Sequence, residues 1–242
     1  AMRLLLCLFT LAMTLVTAAA ADNSPDPAIP VRRTVEYDWM SVAQWDQMQA
    51  EDVAIAEQGD CDVVFLGDSI TAGWVNSPIW KNEILPLKAA NFGIGGDSTQ
   101  NVLWRLQHGT IGNLHPKLVV LLIGTNNLGR DQHAPAEVVR GIKAILDQVH
   151  LAWPSTKVLL YGIFPCEQPA QAPVRAKIAT VNQMLLKLDD GQRVFVRDIG
   201  ALFLEKDGSI SPTVMGDFLH PVEEGYRRWA EVMLPTVREL LQ

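Results

Sequence analysis

The chain has 242 residues, 48% of them hydrophobic and 19% charged, with a formal net charge of −7. That is the composition of a globular chain long enough for one large α/β domain. The acidic balance and the lack of any basic stripe argue against nucleic acid and anionic membrane surfaces as partners.

Residues 1–21 read as a signal peptide: Arg3 is a positive n-region, Leu4 to Val16 an apolar h-region, and Ala18 to Ala21 a small-residue cleavage site. The apolar run falls short of the ~20 residues that span a bilayer. The expectation is an exported protein, periplasmic or secreted, whose mature chain has no stable membrane insertion. Residues 22–40 read as an N-terminal arm, flexible where Asn23 to Pro30 is polar and Pro-rich, and residues 41–242 as one domain.

Ser41 to Glu57 has apolar residues at helical spacing, with Ser41 as a possible N-cap. Strands are expected at Asp62–Leu66, Ala89–Phe92, Lys117–Ile123, Val158–Phe164 and Val194–Ile199. Helices are expected around Pro78–Leu85, Thr99–His108, Ala136–Ala152 and Val174–Leu188. Pro221–Leu241 closes the chain as a helix, with Pro221 in its first turn and Pro235 a potential kink. Alternating strands and helices, with strands apolar throughout, imply a five-stranded parallel sheet covered on both faces. Cys61 and Cys166 fall at opposite edges of such a sheet, ~20 Å apart for a strand of about six residues. A disulfide requires Cα atoms within ~7 Å, so two free, buried thiols are expected.

Ligands of open parallel sheets gather beyond the carboxyl ends of the strands. There the chain places Gly67-Asp68-Ser69, then Gly93-Ile94-Gly95-Gly96-Asp97, then Gly124-Thr125-Asn126-Asn127, and finally a long loop ending Asp217-Phe218-Leu219-His220. A serine hydroxyl is a weak nucleophile unless a base takes its proton, and the base needs an orienting partner. Ser69 as nucleophile, His220 as base and Asp217 as orienter satisfy that logic. The Ser69 and Gly96 backbone N–H groups and the Asn126 amide could receive an oxyanion. A bland account exists for each: a turn for Ser69, a helix cap for Asp217, a strand-terminating turn for Asn126. His108, His115, His133 and His150 lack a carboxylate at the Asp217 spacing and are read as structural. Asp68 is expected to bond loop N–H groups around Ser69. The glycine run fails the dinucleotide template because Ser98 takes the third glycine position, and Thr71 breaks the Gly-x-Ser-x-Gly elbow.

Taken together, the four blocks resemble those of the SGNH (GDSL) hydrolases. Asn91-Phe92-Gly93-Ile94-Gly95-Gly96-Asp97, running on into Val102-Leu103-Trp104-Arg105-Leu106, is most similar to members like the catalytic subunits of platelet-activating-factor acetylhydrolase. The resemblance covers essentially the whole mature chain. It implies a three-layer α/β/α flavodoxin-like fold, no metal and no organic cofactor, and an acetylesterase type of carboxylic ester hydrolysis through an acyl-enzyme. It carries the triad to Ser69, Asp217 and His220 and the oxyanion hole to Ser69, Gly96 and Asn126. Ile70, Trp74 and Leu219 are expected to line the substrate pocket and to favour short acyl groups. The expected substrate is an acetylated carbohydrate or a small acyl ester. A lysophospholipase or thioesterase of the same fold, and a non-catalytic glycan-binding module, are the alternatives. The sequence leaves the oligomeric state open.

Overall fold

The computed structural model describes residues 24–242; the signal-peptide reading of residues 1–21 lies outside them. Helix α1 (Val42–Gln58) starts at Ser41, whose side chain accepts from the Gln44 backbone N–H while Gln44 answers the Ser41 N–H. This reciprocal cap is the expected helix start. Strands β1 (Val63–Gly67), β2 (Ala89–Gly93), β3 (Leu118–Leu122), β4 (Lys157–Tyr161) and β5 (Val194–Arg197) form one sheet in the order β2-β1-β3-β4-β5. Every adjacent pair is parallel. Beside α1, the helices packed on the sheet are α3 (Thr99–Arg105), α5 (Pro135–Ala152), α6 (Pro173–Leu185) and α7 (Glu223–Leu240), and two shorter ones, α2 (Ser69–Ala72) and α4 (Thr125–Gly129), follow β1 and β3.

Alternation along the strands sorts the core into two layers. Val64, Leu66, Val119, Leu121, Val158 and Leu160 face a cluster built with α3, α5 and α6. Val63, Phe65, Val120, Leu122, Leu159 and Tyr161 face the other, built with Ile70, Trp74, Trp80 and the apolar side of α7. The result is the expected α/β/α sandwich, with both sheet faces covered. Gly67 ends β1 where a Cβ would stand 2.2 Å from both the Leu122 carbonyl and the Thr71 hydroxyl. No larger residue fits between β1, β3 and the turn into α2.

Several local expectations are corrected. The arm is not a flexible tail from residue 24 onward: Val31 N donates to Gln100 O, Ser24 Oγ to Asp131 O, and Arg33 is buried. The Pro78–Leu85 stretch winds as a wide turn over Trp80–Ile84 and a tight one over Leu85–Leu87. Pro221 lies before α7, bridged to Met215, while α7 runs through Pro235. Strand β4 stops at Tyr161, three residues short of Phe164. Both cysteines are free as expected, but only Cys166 is buried; Cys61 is half-buried.

Candidate active site

The register aligns Gly67 at the end of β1 with Gly93 of β2 on one side and Leu122 of β3 on the other. The three loops that follow therefore start at one level of the sheet. Ile94 N donates to Gly67 O at 3.2 Å, tying the second loop to the first. Asp68 caps α2: its Oδ1 accepts from Ile70 N at 3.0 Å, which makes Ser69 the first helical residue. The first N–H groups of a helix have no intrahelical acceptor, so the Ser69 N–H is available to a ligand.

From the far end of the chain, the 214–222 loop delivers the histidine. Asp217 Oδ1 accepts from the backbone N–H groups of Leu219 (3.1 Å) and His220 (2.7 Å), and its Oδ2 lies 2.7 Å from His220 Nδ1. His220 Nε2 in turn lies 2.7 Å from Ser69 Oγ. The serine, imidazole and carboxylate thus form one continuous chain of hydrogen bonds. Asp217 is a turn former inside this loop, and the N-cap of α7 is Val222. Burial pulls the Asp217 carboxyl upward, but the hydrogen bonds from the His220 ring and backbone outweigh it and hold the group below its usual range. Phe218 adopts a left-handed φ of 63°, and Glu167, whose N–H donates to Phe218 O, has φ 62°. Such backbone costs about 1–3 kcal/mol per residue and persists where surrounding bonds enforce it. Arg175 enforces it here, donating to the Cys166 and Glu167 carbonyls at 2.6 Å each.

Gly96 is buried with φ +74°, a conformation that glycine adopts without a Cβ penalty. Asn126 Nδ2 donates to Asp97 O at 2.8 Å. An amide nitrogen has two hydrogens; one fixes the side chain and the other remains for a ligand. Two hollows open at the catalytic residues, one at Ser69 and His220 and one at Asn126 and Asp217. One of about 370 Å³ is lined by Ser69, His220, Gly73, Asn76 and Tyr226. The other, about 580 Å³, is lined by Asn126, Asp217, Leu219, Phe218, Cys166 and Val174. Leu219 therefore sits at the wall of a hollow.

Ile70 and Trp74 do not. Ile70 is 1% exposed and its carbonyl accepts from the Tyr226 hydroxyl at 2.8 Å. Trp74 is fully buried, its ring 4.6 Å from Tyr226 and 4.9 Å from Trp229. Ile70 on α2 and Trp74 on the turn after it both pack inward onto the sheet, and neither lines the hollows. Among the other histidines, His133 bonds Pro25 O and His108 stacks on Trp104 at 3.9 Å, both structural arrangements.

A cluster without an assigned role in the sequence lies behind the second loop. The Asp97 carboxylate, fully buried, meets Arg105 Nε at 2.8 Å, Arg33 Nη2 at 3.2 Å and Trp45 Nε1 at 2.7 Å. Arg105 also donates to Phe92 O at 2.9 Å and Asp52 Oδ2 at 3.0 Å. Arg33 Nη2 reaches Gly95 O at 2.5 Å, and Arg130 Nη1 reaches Gly96 O at 2.8 Å. The available signal was a lone arginine inside the apolar run Val102-Leu103-Trp104-Arg105-Leu106; nothing local marked Arg33 or Arg130.

Among the described residues no group of three or more His, Cys, Asp or Glu side chains is arranged to hold a metal ion, and no described helix is long and apolar enough to cross a membrane.

Comparisons with known proteins give the chain a family and its fold relatives. The profile of the GDSL-like lipase/acylhydrolase family matches residues 65–228. The chain is 36% identical over 200 residues to platelet-activating factor acetylhydrolase IB subunit alpha2 of Rattus norvegicus, covering 82% of this chain and 86% of that one. Its fold is similar to that of a GDSL-like lipase from Bacteroides thetaiotaomicron (TM-score 0.67, 22% identity, 81% of this chain and 98% of that one). It is also similar to that of a carbohydrate acetylesterase from Sinorhizobium meliloti (TM-score 0.59, 20% identity, 74% and 98%).

Asp68 generates a test of site electrostatics. Burial pushes its carboxyl up to about 7, against the Ile70 N–H bond and the attraction of His220. Between the ordinary carboxylate value and about 7 the folded chain holds a proton that the unfolded chain has lost. Stability therefore falls as pH rises through that window and levels off above it. Asp68→Asn removes this dependence and can still accept from Ile70 N–H. Urea denaturation across pH 4 to 8 should show the wild type losing stability relative to D68N, by on the order of a few kcal/mol in total. A constant difference across the range would contradict the burial argument.

Proposed function

The chain belongs to the GDSL-like lipase/acylhydrolase family, and from that premise we propose that it is an exported serine esterase acting on short acyl esters, acetylated carbohydrates first among them. The observation that carries the reaction is the pair of 2.7 Å contacts running from Ser69 through His220 to Asp217.

Ser69 Oγ attacks the ester carbonyl while His220 Nε2 takes its proton, and Asp217 holds the ring with Nδ1–H toward the carboxylate. The carbonyl oxygen becomes an oxyanion within reach of the Ser69 and Gly96 N–H groups and the free Asn126 hydrogen. His220 then protonates the leaving alcohol, leaving acyl-Ser69. Water, deprotonated by the same imidazole, attacks the acyl carbonyl, and the proton returns to Ser69 Oγ as the acid departs. Asp217 and His220 are both partly open to water. Water therefore screens the Asp217 charge, and we assign it to orienting the imidazole more than to stabilising its charge.

The acetyl preference rests on Leu219, which lines the hollow of about 580 Å³ beside Asn126 and stands next to His220 in the chain. The carbohydrate substrate draws on the fold it shares with the Sinorhizobium acetylesterase, and export draws on the pattern of residues 1–21. The platelet-activating-factor enzymes make a small lipid ester the second reading, favoured by their 36% identity.

A fluorophosphonate probe should label the wild-type chain at Ser69, and Ser69→Ala should abolish both labelling and hydrolysis of acetate esters. Asn126→Ala should lower kcat/KM by about 10²–10³ with the fold intact by circular dichroism. Retained hydrolysis in S69A would remove the serine from the mechanism.

Leu219→Ala should shift selectivity toward longer chains, raising the octanoyl-to-acetyl ratio of kcat/KM on model esters. An unchanged ratio would place the acyl group elsewhere.

A further inference from the structure

We propose that Trp39, on the N-terminal arm, is a stacking platform for a sugar ring in the alcohol part of the ester. This inference rests on the hydrolase reading for its place in the reaction, though the platform itself is a binding feature that can be measured without turnover.

Trp39 is 58% exposed, unusual for so large an apolar ring, and it is held rigidly. Tyr37 and Met40 exchange backbone hydrogen bonds of 3.0 and 3.1 Å across a tight turn that carries it. One face lies on the Tyr37 ring, with centroids 5.0 Å apart and planes 4° from parallel. Tyr37 has the Arg33 and Arg130 guanidinium carbons each 5.2 Å from its ring centre. Those same guanidinium groups donate to the Gly95 and Gly96 carbonyls, so the aromatic pair and the glycine loop are one fixed body.

The edge of Trp39 closes directly on that loop. A Cβ on Gly96 would lie 2.8 Å from Trp39 Cη2, and one on Gly95 would lie 3.2 Å from Cζ3. With one face spent on Tyr37 and one edge on the glycines, the remaining exposure belongs to the opposite face. That face stands beside the loop whose Gly96 N–H is the candidate oxyanion donor.

A rigid aromatic face loses little entropy on binding and offers a flat apolar surface with a polar surround. The C–H face of a pyranose has the matching shape and polarity. A single ring face also attracts cations, but the Arg33 and Arg130 guanidinium groups already stand 5.2 Å from the Tyr37 ring that backs Trp39, and their charge opposes a further cation there. A neutral sugar ring is therefore the ligand class.

The test uses the full chain. Calorimetric titration of the Ser69→Ala variant with an acetylated methyl xyloside measures binding apart from catalysis; adding Trp39→Ala should weaken it about three- to tenfold, and Trp39→Phe should restore most of it. In the Ser69-containing enzyme, Trp39→Ala should lower the ratio of kcat/KM for the xyloside ester to that for methyl acetate by a similar factor, through KM. The proposal is overturned if S69A binds the xyloside equally with and without the ring, or does not bind it. It is also overturned if both esters lose kcat/KM in parallel, since the ring then only braces the glycine loop. The same holds if Trp39→Ala converts a dimer to monomer in sedimentation, or if acetylcholine is the ester whose KM responds. Failure of the wild type to hydrolyse methyl acetate would instead sink the esterase reading, while the S69A titrations still judge the platform.

Discussion

Arg105 is the residue on which the working end of the molecule depends. Its guanidinium, fully buried, joins the Phe92 carbonyl at the end of β2, the Asp52 carboxylate on α1 and the Asp97 carboxylate in the loop after β2. A charge in that position is tolerated only because acidic and carbonyl oxygens surround it. Losing one partner of such a buried pair typically costs about 3–5 kcal/mol, because the other charge is left uncompensated. The cluster need not add net stability over an apolar core of equal volume. What it imposes is position: Asp97 Oδ1 accepts from Arg33 and Trp45 while the Arg105 charge stands 2.8 Å from Oδ2, so the loop after β2 is held from three sides.

Asp97 passes that constraint to the site through two separate atoms. Its carboxylate is pulled into the cluster by Arg105, Arg33 and Trp45, and its backbone carbonyl receives the Asn126 amide. The same residue thus pins the loop that carries the Gly96 N–H and aims the side chain from the loop after β3. Arg33 and Arg130 complete the restraint by holding the Gly95 and Gly96 carbonyls from outside. Preorganised donors stabilise developing charge without reorganising at the moment of reaction. Here that preorganisation is traceable to the buried ion pairs of Asp97, the residue after Gly96, one of them anchored in the N-terminal arm.

The parallel sheet was legible because its strands are apolar on both faces and separated by helical stretches, and the catalytic blocks because each follows a strand end. Ser41 could be read as a cap because the capping signal is local. What could not be read depended on distant chain. The arm's composition says flexible, yet Arg33 finds Asp97 sixty-four residues away, and no local pattern announces that partner. Ile70 and Trp74 looked like pocket residues through nearness to Ser69. Yet both side chains pack into the aromatic core with Tyr226 and Trp229 on α7, a partner more than a hundred and fifty residues away. Pro221 could stand at N1 of α7 by its own chemistry, but the bridge to Met215 keeps it in the loop that presents His220.

That loop bears on the choice between a catalyst and a binding module. Phe218 is held left-handed, Asp217 spends both carboxylate oxygens on its own turn and on the His220 ring, and Arg175 braces the neighbouring Glu167 turn. Glycan binding alone gains nothing from a histidine nitrogen aimed at a serine hydroxyl, nor from a strained turn that aims it. Strain of this kind survives where a specific geometry is worth its cost. The geometry obtained, an imidazole whose two nitrogens are each 2.7 Å from a partner of the right chemistry, is what proton transfer to and from an ester requires.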